Sequence, residues 1–395
     1  MIIPRHITSE FHRLLGEYPV VTVLGPRQAG KTTLARETLP SFRYWSLENP
    51  DHRAFALADP RGFLAAAAPP VILDEIQRAP ELLSYLQGMV DQVDRAGQYV
   101  LTGSHQLELR AGIAQSLAGR TGLLNLLPLS LAELEAYAPG APADFTSFAH
   151  RGFLPRVNAR GLRPTPAYAT YYQTYVERDV RQLISLKDAN LFDKFMRLLA
   201  GRAGQVVNKH SLARDTGVDG KTIDHWLSIL EASFVIFRVP PYHENFGKRV
   251  IKSPKVYFVD TGLLVFLLGI QQPAQLARDP LVGGVFENLV VAEVLKTQCN
   301  RGRPPELYFY RDNHGHELDL LIPNARRFLG LEIKASATPR PDDAAGLRRF
   351  HDQVHPLHQK AVVYNGENLR HGDDARHVNL LALPRLLNQW LESPE

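Results

Sequence analysis

The sequence predicts an α/β chain that opens on a parallel sheet, passes through a helical middle holding a winged helix, and ends in a second α/β segment. Three observations carry this. The apolar run Val20-Val21-Thr22-Val23-Leu24 leads straight into GPRQAGKTT, residues 25–33, and the helix-like TTLARETL. Strand, glycine loop and helix in that order form half of a βαβ unit, whose strands run parallel. NKHSLARDTGVDGKTIDHWLSILE, residues 208–231, sets two apolar-periodic stretches on either side of a glycine turn. HELDLLIPNARRFLGLEIKA, residues 316–335, alternates polar and apolar side chains in two runs around a turn. With 395 residues the chain exceeds one ordinary core. We place the segments at 1–140, 141–275 and 276–395.

In the first segment, Gly25 to Thr32 reads G-x-x-x-x-G-K-T, the phosphate loop of a P-loop NTPase. Gly25 and Gly30 let the backbone curl so that amides point at a phosphate, and the helix starting near Lys31 adds its positive end. The nucleotide-binding set is Gly25, Pro26, Arg27, Gln28, Ala29, Gly30, Lys31, Thr32 and Thr33. Lys31 would reach the β and γ phosphates and the Thr32 hydroxyl would ligate Mg²⁺, while Arg27 faces either the nucleotide or a partner. Val71-Ile72-Leu73-Asp74-Glu75 supplies the acidic strand end this loop needs. Asp74 would hold Mg²⁺ through its water shell, and Glu75 would polarise the attacking water.

A third strand, Tyr99-Val100-Leu101, runs into Thr102-Gly103-Ser104-His105. Ser104 is expected to sense the γ-phosphate, with Thr102 the second choice. Phe42 to Leu47 and Gly122 to Leu127 complete an expected five-stranded parallel sheet with its ligand at the strand ends. Charge on the departing γ-phosphoryl calls for an arginine, often from a neighbouring subunit. Arg120, in SLAGRTG, is the first candidate and Arg110 the second. ATP and Mg²⁺ are the expected cofactors.

Beyond a Pro/Ala-rich stretch at 138–144, residues 165–200 read as helices, with Glu177, Arg178 and Asp179 clustered in YYQTYVERDVRQLISL. That cluster suits either a salt-bridged contact or a solvated face. In residues 208–231, Leu212, Ala213 and Val218 are expected to pack the helix pair, with Ile223, Trp226, Leu227 and Leu230 as the inner stripe of its second helix. Phe234 to Val239 and Lys255 to Val259 would be the strands of a wing. Lys221, Lys248 and Arg249 are the DNA-binding candidates, with Lys252 also available for phosphates. Winged helices also serve as protein-docking modules, so a protein partner stays open.

In the last segment, Glu317 and Asp319 share one strand face opposite Leu318 and Leu320, and Leu331-Glu332-Ile333-Lys334 repeats the pattern. If PNARR closes a hairpin that pairs Asp319 with Glu332, Glu317 falls opposite Lys334. Crowded carboxylates repel unless a cation lies between them, and Mg²⁺ is an economical solution. Asp-x(12)-Glu-x-Lys is the spacing of PD-(D/E)xK nucleases. Asp319 and Glu332 are the expected metal ligands, Glu287 in VFENLVVAEVLK a third, and Lys334 the group that orients water or steadies a leaving oxygen. A wet polar strand face is the bland alternative, and His314 and His316 are incidental turn residues on this reading.

Composition narrows the class. A hydrophobic fraction of 45% with 22% charged residues is that of an ordinary globular protein. Net charge +4 is thin over this length and permits an acidic partner without requiring one. The lone cysteine, Cys299, excludes an intramolecular disulfide and a Cys-based zinc cluster. The longest apolar run, TGLLVFLLGI at 261–270, is shorter than a bilayer span. Neither secretion nor membrane spanning is expected, and a cytoplasmic location is.

Together GPRQAGKTTL, VILDEIQ, LTGSH, SLAGRTG with LPLSLAEL, YVERDV, FVDTGL, FENLVVAEV and ELDLL with LEIKAS resemble the bacterial and archaeal AAA ATPases that carry the C-terminal domain of unknown function 4143. The resemblance covers nearly the whole chain. It implies an N-terminal AAA-type ATPase, a winged-helix middle and a restriction-endonuclease-like end. The function expected is an ATPase, homo-oligomeric and of hexamer type among the options, that couples hydrolysis to binding or remodelling DNA, branched DNA included. An ATP-gated, metal-dependent endonuclease and a nucleotide-dependent protein switch without DNA are the alternatives.

Overall fold

The computed structural model describes residues 2–93, 95–104, 112–113, 115–138, 144–180, 189–242, 253–367 and 375–392, with backbone only at 177–180, 189 and 341. His105, Arg110, Lys248, Arg249 and Lys252 therefore lie outside the described residues, as do the side chains of Glu177, Arg178 and Asp179. The chain divides into two compact units. The first is residues 1–129 with 232–234 and 298–304; the second is 130–231, 235–297 and 305–395.

The first unit holds β1 (Val20–Leu24), β2 (Arg43–Ser46), β3 (Val71–Asp74), β4 (Tyr99–Gly103) and β5 (Thr121–Asn125), all parallel, in the order β2-β3-β4-β1-β5. Alternate residues of one strand feed different cores. Val20 and Leu24 join Leu73, Leu101, Phe63 and Leu86, whereas Val21 and Val23 join Ile72, Val100, Leu124 and Phe11. Burial on both faces explains why these strands read as unbroken apolar runs. Register sets Leu24 beside Gly103 and Asn125, so the segments that leave β1, β3 and β4 gather at one edge of the sheet.

Two glycines shape the turn after β1. A Cβ on Gly25 would lie 2.0 Å from the Leu126 carbonyl oxygen, so the loop can leave the sheet this close to its neighbour only without a side chain. Gly30, at φ 94°, takes the left-handed conformation that starts α1 (Lys31–Thr38).

In the second unit, helices Lys209–Thr216 and Gly220–Ala232 form the expected pair, the first capped by the Asn208 side chain and ended by left-handed Gly217. Ile223, Trp226, Leu227 and Leu230 are buried, and Trp226 meets Phe192 and Phe195 edge-on. Leu212 and Ala213 are buried, while Val218 is only half-buried. β6 (Ile236–Val239) and β7 (Lys255–Phe258) pair antiparallel, giving the two wing strands. Beyond β7 the Asp260 carboxylate accepts from the Phe153 and Gly262 amides and the Tyr168 hydroxyl, tying three segments together. That satisfied, buried carboxylate gives FVDTGL an architectural role.

The same unit contains a mixed sheet of β8 (Tyr308–Arg311), β9 (Glu317–Asn324), β10 (Arg327–Lys334), β11 (Gln359–Tyr364) and β12 (Arg376–Asn379), ordered β12-β11-β10-β9-β8. β8, β9 and β10 run antiparallel to their neighbours, and β10, β11 and β12 parallel. The β9–β10 turn is the predicted hairpin, with Leu320 opposite Leu331. Continued by one residue, that register sets Asp319 against Glu332. Leu318 and Leu321 point into a core with Leu347, Phe350 and Val362.

Candidate functional site

The edge of the first sheet collects the expected nucleotide residues. Lys31 is buried, and its ammonium donates to the Gly25 and Pro26 carbonyls, 2.9 Å each, so the loop curls around its own lysine. Burial pushes the Lys31 pKa down to about 8 against the pull of Glu75 and Asp74. Asp74 is 4% exposed. Its Oδ1 accepts from Thr32 Oγ1 at 2.8 Å and Thr102 Oγ1 at 2.5 Å, and its Oδ2 from the Tyr44 hydroxyl at 2.8 Å. Thr32 and Asp74 thus present adjoining oxygens at the sheet edge, a donor set that fits the Mg²⁺ of a bound nucleotide.

Glu75 takes the left-handed conformation, φ 59° and ψ 48°, which turns its side chain off the strand end. Its carboxylate accepts from the Ser104 hydroxyl at 3.1 Å and from the Gln77 amide. The Glu75 amide in turn donates to Thr102 Oγ1 at 3.2 Å. Ser104, expected to touch a γ-phosphate, is buried and bonds the candidate base directly.

Arg120 lies away from the phosphate loop of its own unit. It immediately precedes β5, whose first residue pairs with Val20, so the length of β1 separates it from the phosphate loop, roughly 17 Å at about 3.3 Å per residue. Its guanidinium grips Asp91 through two bonds of 2.5 and 2.9 Å. Within its own unit, Arg120 stands outside the nucleotide site because the strand carries it to the opposite edge.

The second unit brings its own constellation together around a cavity of about 580 Å³ lined by Glu287, Glu317, Asp319, Glu332, Lys334 and Lys255, among others. Lys334 Nζ lies 2.6 Å from Glu332 Oε2 and 3.6 Å from Asp319 Oδ2. Asp319 Oδ2 accepts the Ile333 amide at 2.8 Å. Burial, then repulsion from Asp319, pushes the Glu332 carboxyl well above the usual range, with Lys334 pulling the other way. Two oxygen donors beside a surplus of negative charge fit a hard divalent cation at Asp319 and Glu332.

Glu287, the third expected ligand, lines the same cavity and is bonded to a lysine and a tyrosine. Its Oε1 accepts from Lys255 Nζ at 2.9 Å and from the Tyr257 hydroxyl at 2.6 Å. Among the described residues, no three His, Cys, Asp or Glu side chains are grouped to hold a metal. His316 pairs with Asp312, 2.7 Å away. Lys221 is exposed on the second helix of the pair.

Residues 17–135 match the AAA domain (AAA_14), 142–274 match DUF8612 and 282–386 match the domain of unknown function DUF4143. Proteins of Mycobacterium tuberculosis and Mycobacterium bovis, each called uncharacterized, are 33% identical to this chain over 368 residues, 92% of this chain and 80% of theirs. The chain belongs to the family of AAA-domain proteins that carry DUF4143. Distant likenesses extend to the Walker-type ATPase of Pyrococcus abyssi, with 15% identity, 66% of this chain, 94% of that chain and TM-score 0.41. For AMPPCP-bound DnaA from Aquifex aeolicus the values are 15%, 57%, 85% and 0.25.

In this AAA–DUF4143 chain several site residues were not foreseen. Arg5 donates to the Ala29 and Leu127 carbonyls at 2.7 Å each, bracing the phosphate loop from a segment with no motif. Tyr44 and Gln77 complete the shells of Asp74 and Glu75. Gln77 had a signal, as the last residue of VILDEIQ. Lys255, read only as the start of a strand, proves to be the most buried cation of the second constellation, its side chain 4% exposed. No helix among the described residues is long and apolar enough to cross a membrane.

Proposed function

We propose that the chain binds and hydrolyses ATP with Mg²⁺ at the first site and uses the cycle to act on DNA. The observation that carries the ATPase reading is the joint placement of Lys31, Thr32, Asp74 and Glu75 on one sheet edge, with the Thr32 hydroxyl already bonded to Asp74. Thr32 and Asp74 would hold the magnesium, which would supply charge neutralisation at the phosphates. The chain's own residues do the rest. The loop amides from Gly25 onward bind phosphate, Lys31 turns its ammonium from its own carbonyls to the phosphates, and Glu75 accepts a proton from water. Gln77 and Ser104 hold that carboxylate in place.

DNA as the object is supported by the helix pair with its two-stranded ribbon and exposed Lys221. Assembly into a homo-oligomer belongs to the same reading, a neighbour supplying the arginine that the γ-phosphoryl requires. The test is ATP turnover measured with single-stranded, duplex and four-way-junction DNA. Stimulation by one form supports the proposal; equal turnover with and without every DNA form leaves a switch that acts on protein. Sedimentation with and without ATP checks assembly, and a monomer in every nucleotide state removes it.

A second reading, metal-dependent cleavage of DNA, is favoured by the convergence of Asp319, Glu332 and Lys334 on one cavity. Lys334→Ala and Asp319→Ala would then abolish Mg²⁺- or Mn²⁺-dependent nicking with ATP hydrolysis intact. Wild-type protein that nicks no DNA form excludes it.

A further inference from the structure

The cations of the second cavity are unevenly placed. Lys334 sits towards the solvent, its side chain 33% exposed, while that of Lys255 is 4% exposed. Lys255 Nζ lies 2.9 Å from Glu287 Oε1 and 2.5 Å from Glu317 Oε1. With a carboxylate oxygen of each residue in salt-bridge contact, Lys255 is an ion-paired cation and not an orphan amine.

The strand that delivers this lysine is pinned in place. Asn288 accepts the Phe258 amide at 2.7 Å and donates to the Phe258 carbonyl at 2.8 Å, as a neighbouring strand would. Tyr257 bonds Glu287 from the same side. A backbone so fixed holds Lys255 where a mobile surface lysine would not stay.

Charge counting points the same way. The lining contains the carboxylates of Glu287, Glu317, Asp319, Glu332 and Asp342 against Lys255, Lys334 and Arg311. With every group ionised, two formal negative charges remain, the amount one divalent cation neutralises. A close pair of divalent ions would bring twice that, and would have to evict a buried ammonium already paired with two half-buried carboxylates.

We propose that the Lys255 ammonium is a built-in counter-ion that fills the inner cation position of this cavity, leaving one outer position, at Asp319 and Glu332 beside Lys334, for a single divalent cation. Glu287 then serves Lys255 and does not bind the metal. The lysine comes from β7, within the stretch that matches DUF8612, so the carboxylates of the DUF4143 stretch are completed by the segment before them. The inference holds whether or not the cavity cleaves DNA, and it is independent of ATP hydrolysis.

Calorimetric titration of the nucleotide-free full chain with Mn²⁺ tests it. Wild type is expected to bind one ion that Asp319→Asn loses, and Glu287→Gln to keep that ion within about threefold of the wild-type Kd, because the amide leaves the Asp319 and Glu332 oxygens untouched. In Lys255→Met, folded by thermal melt, the inner carboxylates are free and a second ion binds. Loss of the ion in Glu287→Gln overturns the proposal, as does wild type that binds two ions or none in this cavity, or folded Lys255→Met that still binds only one. If Lys255→Met does not fold, the contrast between Glu287→Gln and Asp319→Asn decides.

Discussion

The Thr32 hydroxyl donates to Asp74 Oδ1 over 2.8 Å, linking the end of the phosphate loop to the end of a strand 42 residues further along the chain. Glu75, the next residue, is turned away from the sheet by its left-handed backbone. Asp74→Asn is expected to lower kcat by about a hundredfold or more through loss of metal-dependent charge neutralisation. Glu75→Gln should slow hydrolysis comparably while ATP stays bound. Steady-state turnover beside equilibrium binding of a fluorescent ATP analogue checks both; normal turnover in either variant contradicts the assignment.

Lys31 gives a pH signature. Its pKa is lowered to about 8 by burial, below an unfolded value of 10.5. Between these values the unfolded chain holds a proton that the folded chain has released, so this group makes folding more favourable as pH rises through the window. The gain is on the order of 3 kcal/mol for a fully buried amine. Denaturant titrations at pH 7.5 and 10 should show wild type gaining on Lys31→Met by that order, and a constant gap would exclude it. ATP affinity should fall above about pH 8, since only the ammonium attracts phosphate.

Arg5 braces the phosphate loop through the carbonyls of Ala29 and Leu127. Arg5→Ala leaves both without that partner and is expected to cost about 1–3 kcal/mol of stability, with roughly tenfold weaker ATP binding through the loosened loop. Arg5→Lys should recover only part, because one ammonium nitrogen replaces the two separate guanidinium nitrogens that meet Ala29 and Leu127. Thermal melts and nucleotide titration of the two variants report this. An Arg5→Ala protein with wild-type ATP affinity would show that the brace is dispensable.

Glu293, buried in the helix Val282–Asn300, accepts the Leu131 amide at 2.8 Å and has its pKa pushed up to about 7, chiefly by burial. A carboxyl raised above its ordinary 4.5 is held as the acid in the folded chain, so wild type loses stability as pH rises from about 4.5 to about 7. Glu293→Gln lacks that titration and should gain on wild type across the window, by up to about 3 kcal/mol. Melting temperatures at pH 5 and pH 8 test the sign. A variant equally destabilised at both would mean the carboxylate is favoured where it sits.

Much of this was legible in local pattern. Val20–Leu24 and Val71–Asp74 read as buried strands because both their faces are covered, which removes the alternation that otherwise leaves room for doubt. The Gly25–Gly30 loop was legible because only glycine tolerates a Cβ position 2.0 Å from a carbonyl or a φ of 94°. The β9–β10 register followed from period-two alternation, since a slip of one residue would send Leu318 and Leu320 to the acidic face.

Lys255 and Arg5 were not legible, for a common reason. A lone cation carries no periodicity, and its meaning comes from partners far away in sequence: Glu317 lies 62 residues beyond Lys255, and Leu127 lies 122 beyond Arg5. Arg120 sits in a plausible motif, yet strand direction sends it to the opposite sheet edge. Side-chain spacing along the chain was therefore enough to name the phosphate loop, the acidic strand end and the Asp319–Glu332–Lys334 set. Which charges neutralise one another was settled only when the strands packed, because electrostatic energy depends on distance and burial, and neither is written in linear order.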